Sequence, residues 1–521
     1  MRCLLAILAL LFGTLTIGQG FNNRYDAFNW GYAQTAFGIE SLADGYMVIS
    51  GSSDYDSIAP GEWFFHASVL FSRIDLFGNK LWEKRTWRPM HGALPGWANC
   101  CDTIPGGGGY IVGGASEDTT GMDEVYLMRF NAEGDTLWTR VFGGPTDNYY
   151  WLGRQVKRTL DGGFLIVGDT GFGDIFVNGN DGFALKTDSL GNEQWRRTYG
   201  GGPPQFDSFV SCALAHDGTY YLSGSQFPTE DNGGHWVVHI DALGDTIWEV
   251  LWGGPWSEGA TQVATASDGH VLIFGGTGYG INSTAMRPYV AKLDSADGSI
   301  IWEREYGPIQ YSTLLFAGKE CEDHGLIAAG VSYTATAPNQ QQGLLLRTNS
   351  EGDSLWMFNY FYQDSVLNNG QGRFYDVLPT TDGGFIAAGA AYNPVGGPYP
   401  PGYSQDTWVV KVDGDGCIVP GCNPVGITEQ ATNLLSALRI WPNPVAQGGQ
   451  VQIELDLPPS IEAHDLDLSL VAMDGKVVHR QKLLNSSTTS KLQLPHLSSG
   501  LYHIHITNGS TWLTGGKLVV E

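Results

Sequence analysis

Short runs of apolar and β-branched residues, each closed by a glycine and flanked by polar turns, recur along most of the chain. The clearest copy opens on Gln155-Val156-Lys157-Arg158-Thr159 and turns at Asp161-Gly162-Gly163. It continues as Phe164-Leu165-Ile166-Val167-Gly168, crosses a long polar stretch and resumes at Gly182–Thr187. A second turn, Asp188-Ser189-Leu190-Gly191-Asn192, leads to Trp195 and then Tyr199-Gly200-Gly201. The runs are short and rich in residues that fit a pleated sheet, and no helical period competes with them. The Asp-Gly pairs suit two-residue hairpins, because glycine tolerates positive φ. The unit therefore reads as four antiparallel strands.

The unit repeats at a fixed period. Its second-strand glycine stands at Gly51, Gly113, Gly168, Gly224, Gly275, Gly330 and Gly389, a mean spacing near 56 residues. Its tryptophan keeps step at Trp82, Trp138, Trp195, Trp248, Trp302 and Trp356. Such self-similarity means stacked supersecondary units. Four antiparallel strands at this period predict propeller blades, since a sandwich would not repeat one unit seven times. There are seven glycine landmarks but six tryptophan strands. The last copy departs from the pattern after Val409–Cys417, while Tyr25-Asp26-Ala27-Phe28-Asn29-Trp30-Gly31 resembles the end of a tryptophan strand. That segment is expected to supply the outer strand of the seventh blade, so that closure leaves no exposed sheet edge.

Charge and cysteine content narrow the picture. Acidic residues outnumber basic ones, 54 to 28, for a net charge of −26. Such a surface repels phosphate backbones and argues against nucleic acid as a partner. Residues 1–20 read as a signal peptide: Arg2, the apolar stretch Leu4–Leu15, then the small residues Gly18-Gln19-Gly20. That stretch is too short to span a bilayer, no other segment reaches its length, and no transmembrane span is expected. Residues 21–422 are assigned to the seven-bladed β-propeller, 423–437 to a linker without strand signal, and 438–521 to a second all-β module. Export permits disulfides. Cys417 and Cys422 flank a short Pro-Gly turn and form the candidate pair, while Cys101 and Cys212 stand where other units place Ile39, Val156 and Val263, and read as buried apolar residues.

The tail carries its own marks, in order: Trp441-Pro442-Asn443-Pro444-Val445, Asp474-Gly475-Lys476, Gly500-Leu501-Tyr502 and Lys517-Leu518-Val519-Val520. Apolar and polar residues alternate here as in half-buried strands, and the size suffices for a small immunoglobulin-like β-sandwich. This tail closely resembles the type A C-terminal sorting domain of the type IX (Por) secretion system. Trp441 departs from the Tyr or Phe usual in that family. The resemblance implies recognition of the module by the outer-membrane translocon. It also implies a secreted or cell-surface location on a Gram-negative bacterium, with Pro442, Asn443, Pro444, Asp474, Gly475, Gly500, Tyr502 and Lys517 as its sorting motif. The repeat region resembles cargo often found ahead of such tails, with Asp-Gly-Gly-Phe and Leu-Gly-Asn-x-x-Trp repeats, and this implies fold more than activity.

Both kinds of tight turn fall on one face of a propeller. The long connections fall on the other, where a rigid scaffold commonly carries binding residues. The aromatics of those connections, Trp97, Tyr149, Tyr150, Trp151, Phe206, Trp256 and Tyr311, are the candidate ligand-binding residues, for a glycan or a surface protein. Asp169, Asp174 and Asp181 form an oxygen-rich calcium candidate in the third unit, and no other cofactor is expected. The repeated Asp-x-x-Gly turns are explained by Asx hydrogen bonding. No nucleophile elbow and no zinc-protease helix occur, so no catalytic residue is assigned. The function expected is an exported binding protein. The alternative is a secreted polysaccharide hydrolase or lyase using the propeller mouth, and a third reading is a surface-layer component.

Overall fold

The repeat of sequence becomes a repeat of sheets. A computed structural model describes residues 20–25, 33–59, 62–86, 93–96, 98–117, 123–143, 149–172, 179–202, 205–229, 232–253, 259–278, 286–307, 312–334, 340–362, 371–393, 404–418, 438–455, 466–472, 476–483, 489–508 and 511–521. Among them there are strands and turns and no α-helix, and so no helix able to cross a membrane. The chain forms two compact units, residues 1–411 and 412–521.

In the first unit each sequence repeat forms one antiparallel sheet, paired in chain order. The third sheet comprises Tyr149–Arg158, Phe164–Phe172, Asp181–Thr187 and Glu193–Tyr199. The first comprises Ala33–Leu42, Gly45–Ala59, Glu62–Asp75 and Lys80–Arg85. The second has an inner edge in two pieces, Ala93–Pro95 and Cys101–Ile104, beside Gly109–Glu117, Asp123–Phe130 and Thr136–Phe142. The fourth holds Phe206–Leu214, Tyr220–Thr229, Asn232–Ile240 and Thr246–Trp252, and the fifth Gly259–Thr265, Val271–Gly278, Met286–Leu293 and Ile300–Glu305. The sixth holds Thr313–Glu320, Leu326–Thr334, Gln340–Thr348 and Ser354–Tyr360. The seventh holds Gln371–Pro379, Phe385–Asn393 and Ser404–Val412, and takes its fourth strand from the start of the chain. Phe21–Tyr25 lies antiparallel to Ser404–Val412, from Phe21 against Lys411 to Tyr25 against Thr407. Of the expected latch, Tyr25–Gly31, only Tyr25 lies within the described residues; the strand that pairs is Phe21–Tyr25.

The landmarks have physical causes. Inner strands of the first and third to seventh sheets carry a bulge, as at Gly153/Gln155, Phe209/Ser211 and Phe374/Asp376. The bulge lifts a carbonyl over the neighbouring strand. A β-carbon on Gly168, Gly224, Gly330 or Gly389 would collide with the carbonyl oxygen of Leu152, Ser208, Leu314 or Arg373. The second-strand glycine is thus fixed by close approach, not by φ. The tryptophan recurs because it docks on the next sheet. Trp138, Trp195, Trp248 and Trp302 lie against Gly191, Gly244, Gly298 and Gly352, the positive-φ glycines of the following turns, which open on Asp188, Asp241, Asp294 and Asn349. Trp195 Nε1 donates to Ala242 O at 3.0 Å, and Trp248 Nε1 to Ser295 O at 3.0 Å. Four residues on, Tyr199 Oη donates to Gly244 O at 2.8 Å and Tyr306 Oη to Gly352 O at 2.7 Å. Phe21 and Tyr25 repeat this device on the first sheet: the Phe21 ring lies against Gly78, and Tyr25 Oη donates to Gly78 O at 2.7 Å.

Apolar clusters fill the spaces between consecutive sheets. One of them joins Phe21, Tyr25, Ile386 and Val409 of the seventh sheet to Ile39, Tyr46, Val48 and Ile74 of the first. Side chains also stitch the inner strands together. Cys212 N donates to Gln155 Oε1 at 2.8 Å, Val263 N to Ser211 Oγ at 3.1 Å, and Ile39 N to Asp376 Oδ2 at 3.0 Å.

The second unit packs two sheets over one core. Leu438–Trp441, Gln450–Leu455 and Thr489–Gln493 form one; Val477–Leu483, Leu466–Ala472, Gly500–Asn508 and Thr511–Val520, in that spatial order, form the other. Val451, Ile453, Leu468, Leu470, Ile504, Ile506 and Leu518 are buried between them. The tail motif holds the last strand in place. Asn443 Nδ2 donates to Lys517 O at 2.8 Å and Val519 N donates to Asn443 Oδ1 at 2.9 Å. Val445 N donates to Val519 O at 2.9 Å, and Tyr502 Oη to Ser498 O at 2.9 Å. Pro442 and Pro444 follow cis peptide bonds, Lys517 is exposed, and Gly500 has open space about it. Asp474 and Gly475 lie outside the described residues.

Candidate functional site

Side chains fill the region where the inner strands converge. The bulge residues Phe37, Phe316 and Tyr375 pack ring on ring, Phe37 and Phe316 each 5.1 Å from Tyr375. Toward the hairpin end of the same strands lie Glu40, Asp102, Lys157, Lys319 and Asp376, close enough to perturb one another. Burial pushes the Glu40 carboxyl up to about 7; Lys319 and Lys157 oppose that shift, and Asp376 and Asp102 add to it. Asp376 is also pushed up by burial, and its oxygens accept from Ile39 N and Val377 N at 3.0 and 2.9 Å. Lys157 Nζ donates to Asn99 Oδ1 at 2.9 Å.

A cleft of about 380 Å³ opens between the outer strands of the fourth and fifth sheets. It lies at the end where long connections leave the strands, lined by His235, Trp252, Thr277, Tyr289, Arg287 and Glu303 among others. His235 lies in the buried part of Asn232–Ile240 and pairs with Trp252 across the sheet. Its ring stacks on Tyr289 at 4.4 Å and 14°, and Trp252 leans on it at 5.3 Å. Trp252 Nε1 donates to Tyr289 Oη at 2.8 Å, and Tyr289 Oη donates to Glu303 Oε2 at 2.5 Å. Arg287 Nη1 pairs with Glu305 Oε2 at 2.9 Å. His235 is 1% exposed, and neither ring nitrogen has a hydrogen-bond partner among the described residues. Burial pulls its pKa down to about 3, so the ring is neutral.

The residues singled out in the sequence are scattered. Trp97, Trp256 and Tyr311 lie outside the described residues, as does the side chain of Tyr149. Tyr150 is 4% exposed, an interior residue. Trp151 packs edge-on against Phe183 at 5.2 Å with the Arg196 guanidinium 4.5 Å over its ring. Trp151 is half-buried, and Phe206 is 41% exposed. Asp169 is buried, held by Arg154 Nε at 2.7 Å, and Asp181 accepts from Gly202 N at 3.0 Å. Asp174 lies outside the described residues, among which no three His, Cys, Asp or Glu side chains gather as a metal site. Cys417 is disulfide-bonded, and Cys422 lies outside the described residues. Cys100, Cys101 and Cys212 are free thiols in the core, their pKa values raised by burial.

His235 and Trp252 escaped the sequence reading, although the repeat contains their signal. Counting back four from the residue opposite each landmark aromatic gives Val69, Val125, Gly182, His235, Pro288, Gly343 and Thr407. His235 is the one titratable side chain in that column. Four residues beyond each landmark aromatic stand Thr86, Phe142, Tyr199, Trp252, Tyr306, Tyr360 and Tyr25. Trp252 is the one indole. Both departures fall in the fourth sheet and meet in the cleft.

An all-β protein of repeated four-stranded sheets with a small two-sheet tail is the class so defined. Residues 439–521 match the family model of the secretion system C-terminal sorting domain. The match marks the chain as one exported by type IX secretion to the surface or medium of a Bacteroidetes-type bacterium, its tail recognised by that machinery. No curated protein matches the chain. Solved structures similar to it include a protein of unknown function from Bacteroides caccae, at 15% identity over 57% of this chain and 90% of that one, TM-score 0.33. Puromycin hydrolase is 11% identical over 70% of this chain and 59% of that one, TM-score 0.38. An α-L-arabinanase of Penicillium chrysogenum is 11% identical over 63% and 98%, TM-score 0.39. These distant likenesses assign no activity.

Proposed function

We propose that the protein is a non-enzymatic binding protein of the cell surface or medium. In this reading the first unit is a closed seven-bladed β-propeller and the tail is an immunoglobulin-like sorting module. Closure is supported by Phe21–Tyr25, which completes the last sheet and docks on Gly78 of the first as the tryptophan strands dock on their successors. Binding is carried by one observation: the cleft at the long-connection end holds rigid aromatics and a buried histidine with unused hydrogen-bonding capacity. The partner is a glycan or a surface protein. The test is an array of glycans and envelope proteins probed with the purified exported chain. Saturable capture of one class supports the reading, and no capture of either refutes it.

The hydrolase or lyase reading rests on a different residue. Glu40, with a carboxyl near neutrality, has the poise of a general acid–base. Reducing-sugar or unsaturated-product release that is lost in Glu40→Gln would establish it. Absence of release across the polysaccharides captured on the array would exclude it.

A further inference from the structure

We infer that the cleft between the fourth and fifth sheets is a binding site for a single neutral glycosyl unit, with His235 at its base. The inference rests on the binding-protein reading and names its ligand class. Three features point to this chemistry. The first is unspent hydrogen bonding. A neutral imidazole carries one donor and one acceptor. Leaving both unmade in the interior is costly, and native structures do so rarely. Sugar hydroxyls both give and accept, so one hydroxyl can satisfy the ring nitrogen that faces the cleft in either tautomer.

The second feature is charge. The acids and bases of the lining balance, with Glu303 and Glu305 facing Arg287 and Arg304. Arg287 and Glu305 already pair at 2.9 Å, and Glu303 accepts from Tyr289 at 2.5 Å. Nothing in that arrangement draws a strong anion or cation. The chain's net charge of −26 further disfavours uronic or sulfated sugars. Planar carboxylate and guanidinium groups do match pairs of adjacent hydroxyls.

The third feature is shape. Trp252 and Tyr289 are locked to each other through the indole N–H and the phenol oxygen at 2.8 Å. Tyr289 is buried behind the indole, and the half-buried Trp252 presents a fixed apolar surface against which the C–H face of a sugar ring packs at little entropic cost. A space of about 380 Å³ lies at the small end of ligand sites and suits one ring better than an extended peptide.

The test uses the full exported chain with methyl α-glucoside, methyl α-mannoside and methyl β-galactoside as probes. Glucuronate and a blocked dipeptide serve as counter-probes. Binding is read by calorimetry and ligand-observed NMR. At least one hexoside should bind, and His235→Phe should weaken it roughly tenfold or more. That variant keeps the stack on Tyr289 and removes an unpaired buried polar group, so its melting temperature should equal or exceed the parent's. Arg287→Ala, on the cleft rim, provides a second variant should the first fail to fold. Hexoside binding unchanged in both variants would overturn the site while leaving the binding reading intact. So would tighter binding of glucuronate or the dipeptide, or array capture of proteins alone. An array that captures nothing removes the reading on which the inference rests, and the inference with it.

Discussion

At the residue scale, the landmarks of this chain are close approaches more than special conformations. Gly168 has no need of positive φ; it is glycine because the bulged inner strand puts the Leu152 carbonyl where a β-carbon would stand. Backbone cannot rotate aside as a side chain can. Gly168→Ala should therefore cost about 1–3 kcal/mol or more through overpacking, read as a lower denaturation midpoint. Gly106→Ala probes the other cause, since nothing lies within 4 Å of a β-carbon there and only a positive φ of 73° opposes it. It should cost about 1 kcal/mol. The positions of such glycines were legible in the sequence. Their reason was not, because a bulge is a property of two paired strands. His235 was illegible for a related reason. A histidine in a strand is unremarkable until its column of Val, Gly, Pro and Thr is assembled from the pairing. Of the aromatics chosen from the loops, Tyr150 and Trp151 extend their strand instead, Tyr150 buried and Trp151 half-buried against Phe183.

At the element scale, a charge ladder ties five of the seven third strands to their own hairpins. The residues opposite the landmark aromatic are Arg73, Arg129, Lys186, His239, Lys292, Arg347 and Lys411. Five of them pair with the aspartate of the Asp-Gly or related turn: Arg73 with Asp44, Lys186 with Asp161, Lys292 with Asp268, Arg347 with Asp323 and Lys411 with Asp382. Lys186 shows the consequence. Its ammonium is buried and meets Asp161 Oδ2 at 2.8 Å and Gln194 Oε1 at 3.0 Å. For Asp161, burial pushes the pKa up, but hydrogen bonds from Lys186, Thr159 and Gly163 outweigh it and hold the carboxyl at about 2. A depressed carboxylate pKa stabilises the fold above the unfolded value of 3.8 and ceases to do so as pH falls toward 2. Asp161 is 53% exposed on its side chain, so screening limits its worth. Asp161→Asn should cost about 1–2 kcal/mol at neutral pH, because it strands a buried ammonium, and its deficit should vanish between about pH 4 and 2. Lys186→Met combined with Asp161→Asn should recover most of the loss, since both partners are then gone. Melting curves of the three chains across that pH range decide the matter, and an equal deficit in single and double variants would refute the pairing. Sequence alone marks these positions as hairpin turns; the cationic partners of their aspartates lie about 25 residues on and appear only once strands are in register.

At the scale of the molecule, the first unit depends on how its two ends are joined. The seventh sheet would otherwise end at Ser404–Val412, a long apolar strand with Trp408, Val409 and Val410 fully buried. Phe21–Tyr25 covers that edge with backbone pairing, and Trp408 Nε1 donates to Asn22 Oδ1 at 2.6 Å. Arg24 Nε meets Asp406 Oδ2 at 3.1 Å. Sequence spacing anticipated a borrowed strand near the start of the chain but set it at Tyr25–Gly31, whereas the strand that pairs is Phe21–Tyr25. The operative signal is the interval of four in Phe21-x-x-x-Tyr25, the interval of Trp195 to Tyr199 and Trp302 to Tyr306. Phenylalanine in the tryptophan place concealed it. The prediction concerns an exported chain whose first strand begins beyond Tyr25. It lacks the antiparallel pairing, the Phe21 and Tyr25 contacts with Gly78, and part of the cluster containing Ile39, Ile74 and Ile386. Its exposed edge should template self-association. The expected outcome is a melting temperature lower by several degrees, with concentration-dependent oligomers in light scattering. Phe21→Ala with Tyr25→Phe, which keeps the strand but removes its docking on Gly78, should lower the melting temperature without creating oligomers, because backbone pairing still covers the edge. If the truncated chain melts like the parent and stays monomeric, the ends are not what holds this array of sheets together, and the closed propeller loses its main support. Deleting residues 439–521 provides the control: it should abolish export while leaving the first unit's own melting transition where it was.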